Sequence, residues 1–196
     1  NVLEVRNYLK KIEGFHHSKL IYNVILMDYK EINKILSDAS ADFFTNVQSY
    51  FPRSYYRGLV SDGLGRKNDS INHFKKAIAH LKDKINEYPD DPRFYATLGL
   101  TYARIGEKIK AIASGLEATR ILPVSKDALF GPRYEKTLSI IYSIIDEKDK
   151  ALNKIEYLSV IPNGFHYGEL LSHPDFNSIR NDPRFQSILN KLKPKL

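Results

Sequence analysis

The 196-residue sequence contains no cysteine, no tryptophan and a single methionine. Without cysteine there is no disulfide framework, thiolate zinc site or cysteine nucleophile. The compartment stays open, because a cysteine-free chain suits the cytosol and the periplasm alike. Long apolar runs are also missing. Leu20–Met27 and Leu138–Ile145 fall well short of the about 20 residues that a membrane span needs, so no membrane insertion is expected. Val2–Ile12 already carries Glu4, Arg6, Lys10 and Lys11, which is unlike a signal peptide. No Gly-x-Ser-x-Gly elbow and no His-Glu-x-x-His pair occurs. Gly63-Leu64-Gly65-Arg66-Lys67 has the glycines of a phosphate cradle but follows a helical pattern rather than a strand. These absences predict a chain that is not an enzyme and holds neither cofactor nor metal.

What is present is helical punctuation. Glycine and proline gather at Gly63-Leu64-Gly65, Tyr88-Pro89-Asp90-Asp91-Pro92 and Asn181-Asp182-Pro183. Between these junctions apolar residues return every three or four positions, as in Ile71, Phe74, Ile78, Leu81 and Ile85. Asp-Pro-Arg-Phe occurs twice, at Asp91–Phe94 and Asp182–Phe185. Aspartate at the N-cap and proline in the first turn mark both as helix starts. No alternating strand pattern stands out, so the expected class is all-α. A shift of 41 residues pairs Gly58 with Gly99, Gly65 with Gly106, Ser70 with Ala111 and Ala77 with Ala118. A shift of 34 also scores but puts Gly65 in mid-helix, so 41 is the better register.

Leu98-Gly99-Leu100-Thr101-Tyr102, followed by Gly106, Ala111, Ala118 and Pro123, resembles the tetratricopeptide repeat pattern. Small Gly99 and Ala111 would let two antiparallel helices approach, Gly106 would turn the chain, and Pro123 would end the second helix. Gly115 departs from the pattern, which has a large apolar residue there. The resemblance implies a right-handed α-solenoid of three to four stacked antiparallel hairpins. The expected division is a degenerate start over 1–51, repeats over 52–90, 91–124 and 125–163, and a helical cap over 164–196. Within these, Val2–Ile12 reads as a second helix, Lys67–Glu87 as a long second helix of about 31 Å, and Ser37–Pro52 as an irregular loop. The tail Tyr167–Leu171, His173-Pro174-Asp175-Phe176 and Asp182–Phe185 resembles the ending of a tetratricopeptide subset found in bacterial signalling proteins. That resemblance implies a module for binding a protein or peptide partner, within a larger signalling or regulatory protein.

Charge refines the partner. Lysine and arginine number 30 against 23 acids, a net +7, but no run of five basic residues occurs. Scattered, interleaved charge favours solvated helix faces over a nucleic-acid footprint, which remains the alternative function. The six histidines are spaced badly for a shared metal: His16 and His17 diverge on a helix, and His73 and His80 stand about 10 Å apart. In stacked hairpins the first helices line the concave face. The repeat register puts Tyr55, Leu59 and Asp62, then Arg93, Ala96, Leu100 and Arg104, then Arg133, Lys136 and Ile140 on that face. Arginine forks suit carboxylates, so an acidic peptide is the expected ligand, unless these cations pair with acids of their own chain.

Overall fold

The computed structural model describes Glu4 and residues 16–194; the reading of Val2–Ile12 lies outside them. The chain is mostly helical and forms two compact units, residues 1–80 and 81–196, with the division falling inside one long helix. In the first unit, α1 (His16–Ile25) and α2 (Tyr29–Asp38) form a hairpin, and α3 (Arg53–Gly63) packs on α2. Next comes α4 (Lys67–Glu87), 21 residues long, with the bounds expected from its apolar periodicity.

Ser37–Pro52 is not the irregular loop that the sequence suggests. It contains an antiparallel hairpin of β1 (Phe43–Asn46) and β2 (Ser49–Pro52), with Phe44 opposite Phe51 and Thr45 opposite Tyr50. Four residues per strand are too few for a visible alternation. The turn is held by side chains: Asn46 Oδ1 accepts from Gln48 N at 2.8 Å and from Ser49 Oγ at 2.9 Å. The hairpin's rings join a buried aromatic cluster, with Phe44 edge-on to Tyr56 at 5.7 Å and Phe51 5.0 Å from Tyr55. Arg53 fastens the preceding segment by donating to the carbonyls of Leu36, Ala39 and Ala41.

In the second unit, α5 (Pro92–Arg104) pairs with α6 (Lys108–Ile121), and α7 (Gly131–Ile144) with α8 (Lys148–Leu158). Helix α7 packs against both α5 and α6, so the two hairpins lie side by side. Then follow α9 (Tyr167–Ser172), a 3-10 turn (Pro174–Phe176) and α10 (Pro183–Leu192). The turn packs on α7 and α10 on α8, burying Phe165, Leu170, Phe176 and Phe185. Both Asp-Pro-Arg-Phe motifs start helices. Asp91 accepts from Arg93 N at 3.0 Å and Asp182 from Arg184 N at 2.8 Å.

One turn recurs through the chain. Met27, Gly65, Gly106 and Asp146 all have positive φ, at 54°, 74°, 79° and 65°. Each is followed by the same six-to-one backbone bond closing a helix end: Asp28 to Asn23, Arg66 to Ser61, Glu107 to Tyr102 and Glu147 to Tyr142. Successive turns are 38, 41 and 40 residues apart. Glycine adopts this conformation without strain, and two of the four turns use it.

Close helix approach falls where small residues do. A Cβ on Gly99 would stand 3.0 Å from the Ala111 carbonyl and 3.1 Å from Gly115 N. Gly115 then has a clear reason. Its missing side chain makes room for Leu138 and Ile141 of the neighbouring hairpin, which would lie 2.8 and 2.9 Å from an added Cβ.

Candidate functional site

The residues expected on one face divide into three groups. Tyr55, Leu59 and Asp62 belong to the first unit; the others belong to the second. Tyr55, Leu59, Ala96 and Leu100 are only 5, 8, 7 and 7% exposed, so they are core residues and offer a partner almost no surface. Spacing places them on the first helices, but the apolar side of those helices faces inward. Ala96, for example, packs with Ala118 and Tyr134 in one cluster. Asp62 sits at the end of α3 and pairs with Lys67 across the turn at 2.9 Å. Ile140 is half-buried on α7.

The four cations of α5 and α7 are the informative set. Arg93 folds back on the N-cap of its own helix, giving Asp91 a forked contact at 2.9 Å from Nε and 2.6 Å from Nη2. Arg104, at the other end of α5, donates to Asp175 Oδ2 at 2.5 Å, in a pair whose side chains are 16 and 12% exposed. Lys136 on α7 reaches both oxygens of Glu169, at 3.1 and 2.8 Å, and lies 5.3 Å from the centre of the Phe165 ring. Arg133 is partly exposed and, among the described residues, joins no ion pair.

Two of the three counter-ions come from the C-terminal segment. Glu169 stands in α9 and Asp175 in the 3-10 turn. Ser143 Oγ adds a 2.6 Å bond to the Asp175 carbonyl, fixing the turn against the end of α7. His173 lies between these charges. Its Nδ1 accepts from Asp175 N at 3.4 Å and is 4.0 Å from Asp175 Oδ2. Burial pushes the His173 imidazole below its ordinary value, and Arg104 and Arg133 push the same way, while Asp175 and Glu169 oppose them. Tyr134, buried beside Asp91, has its phenol pushed up to about 12, chiefly by burial. A phenol and an imidazole that both stay neutral leave the charge of this face to its arginines, lysine and carboxylates.

Asp175, Glu169 and His173 are the part of the site that repeat spacing does not show. They follow the last repeat, and only the contacts of the folded cap bring them to α5 and α7. The tail segments Tyr167–Leu171 and His173-Pro174-Asp175-Phe176 are their sequence signal. Among the described residues no group of histidines and carboxylates is arranged to hold a metal ion, and no helix is long and apolar enough to cross a membrane. No protein-family model, curated protein or solved structure matches the chain.

Proposed function

We propose that the second unit is a tetratricopeptide-type stack of helical hairpins and a non-catalytic docking module for an acidic peptide segment of a protein partner, within a larger bacterial signalling or regulatory protein. The observation that carries this reading is the α5/α7 face. It presents Arg93, Arg104, Arg133 and Lys136, and the chain's own Glu169 and Asp175 already engage two of them as side-chain carboxylates. A face that accepts acids from its own cap has the donors to accept one from a partner. The repeating turn and the close approach at Gly99 and Ala111 support the tetratricopeptide resemblance. On that scaffold the mechanism is recognition: rigid helices hold the cations, so binding orders few side chains of the module.

The test compares two probes on the full chain at low ionic strength. One is a pool of acetylated, amidated peptides containing glutamate; the other is a fluorescent single-stranded oligonucleotide. Retention of the peptides, without retention of a matched acid-free pool, is the expected result. Retention of the oligonucleotide with affinity falling steeply as salt rises would replace this reading with nucleic-acid binding.

A further inference from the structure

The acids of α7, of its approach and of the segments packed on it are held by other groups. Asp91 is held by Arg93, Glu169 by Lys136 and Asp175 by Arg104. Asp127, just before α7, accepts from the backbone N–H groups of Leu129 and Phe130 at 2.9 and 2.8 Å. Glu135, two residues further along α7, takes Lys154 of α8 at 2.6 Å. The four cations of this face are therefore not four equivalent ligand positions. Three are internally neutralised, and the cap that supplies two of the acids is anchored by fully buried Phe176 and Leu170. A partner that displaced those acids would have to break an existing ion pair, whereas Arg133 joins no ion pair among the described residues.

The backbone that carries Arg133 is held in place. A Cβ on Gly131 would stand 2.8 Å from the backbone of Val124, so the start of α7 lies directly on the connecting segment. Thr137 Oγ1 donates to the Arg133 carbonyl at 3.1 Å, one turn on.

We propose that this face takes a single acidic side chain of a partner peptide, at Arg133, rather than an acidic run. The assignment rests on the acidic-partner reading above and narrows it: Arg133 determines specificity, and the partner segment carries one carboxylate among uncharged neighbours. Excess acids meet Asp91, Glu169 and Asp175, which already pair with the other three cations.

The experiment uses the full chain and pools of short acetylated, amidated peptides of otherwise shared composition, carrying no, one, two or four glutamates. The one-glutamate pool should be retained over the acid-free pool, and further glutamates should add nothing. Arg133→Gln should lower retention of the one-glutamate pool about tenfold, the effect of losing one charge-assisted contact. Arg133→Lys should recover part of it, and Lys148→Gln, at an exposed position on α8, should leave it unchanged. Thermal melts of each variant check that the fold is retained. Retention that climbs with every added glutamate, or that survives Arg133→Gln, would overturn the single-carboxylate assignment while leaving the acidic-partner reading standing. Retention of no pool would overturn both.

Discussion

The hairpins α5/α6 and α7/α8 stand forty residues apart and share their surface chemistry in detail. Lys110 pairs with Glu107 at 3.1 Å and lies 5.7 Å over Tyr102; Lys150 pairs with Glu147 at 3.0 Å and lies 5.8 Å over Tyr142. Their interiors differ. Where the first has Gly99, Ala111 and Gly115, the second has Ser139, Ala151 and Ile155, all three fully buried. The first hairpin leaves a gap that its neighbour's Leu138 and Ile141 fill, and the second carries the fully buried Ile155 at the matching position. The same backbone plan thus carries two kinds of interior, which differ at the residue one turn beyond the shared alanine.

That contrast can be broken from either side. Truncating the filler has the larger effect: Ile155→Ala should cost about 2–5 kcal/mol, since it removes a fully buried branched side chain. Filling the gap is the smaller insult. Gly115→Ile should cost about 1–3 kcal/mol by driving into Leu138 and Ile141, and Ala111→Leu a similar amount by separating α5 from α6. Urea unfolding measures all three. A Gly115→Ile protein as stable as the parent would mean that the two interiors are interchangeable after all.

These interiors were partly legible beforehand, and the limits are instructive. The small residues Gly99 and Ala111 and the turn glycines Gly65 and Gly106 could be placed because close helix approach favours small side chains and a left-handed turn favours glycine. Gly115 could be noticed but not explained, because its reason lies in Leu138 and Ile141 of the next hairpin. The β-hairpin at 43–52 escaped because its stability comes from ring contacts and Asn46 rather than from alternation. For the candidate site, periodicity could identify which helices carry Arg93, Arg104, Arg133 and Lys136. It could not identify their counter-ions, because Glu169 and Asp175 reach them only through the folded cap. It also placed Ala96 and Leu100 on the right helix but could not tell its buried side from its open one.

The turns separate the two hairpins by a smaller energy. Gly106 and Asp146 occupy the same left-handed position, at φ 79° and 65°, but only glycine is unstrained there. Gly106→Ala should therefore destabilise by about 1 kcal/mol, and Asp146→Gly should stabilise by somewhat less than about 1 kcal/mol, because glycine also gains freedom in the unfolded chain. Melts of the two variants should move in opposite directions. Shifts of the same sign would mean that Asp146 is held by contacts beyond its backbone.

The smallest effect tests whether Arg104 of α5 and Arg133 of α7 both act on the His173 ring. His173 is kept neutral by burial first, then by Arg104 from α5 and Arg133 from α7, against Asp175 and Glu169. Its folded value lies below the 6.5 of the unfolded chain, so between those two values the unfolded state binds more protons. Stability then falls as pH drops through 6.5 toward the folded value, and a His173→Gln protein should lack that component of the slope. Arg133→Gln removes one of the two cations that act on His173, so the ring, followed by NMR, should titrate at higher pH than in the parent but still below 6.5, because burial and Arg104 remain. A titration unmoved by Arg133→Gln would show that Arg133 does not reach the His173 ring, leaving Arg104 of α5 as the cation that opposes its protonation.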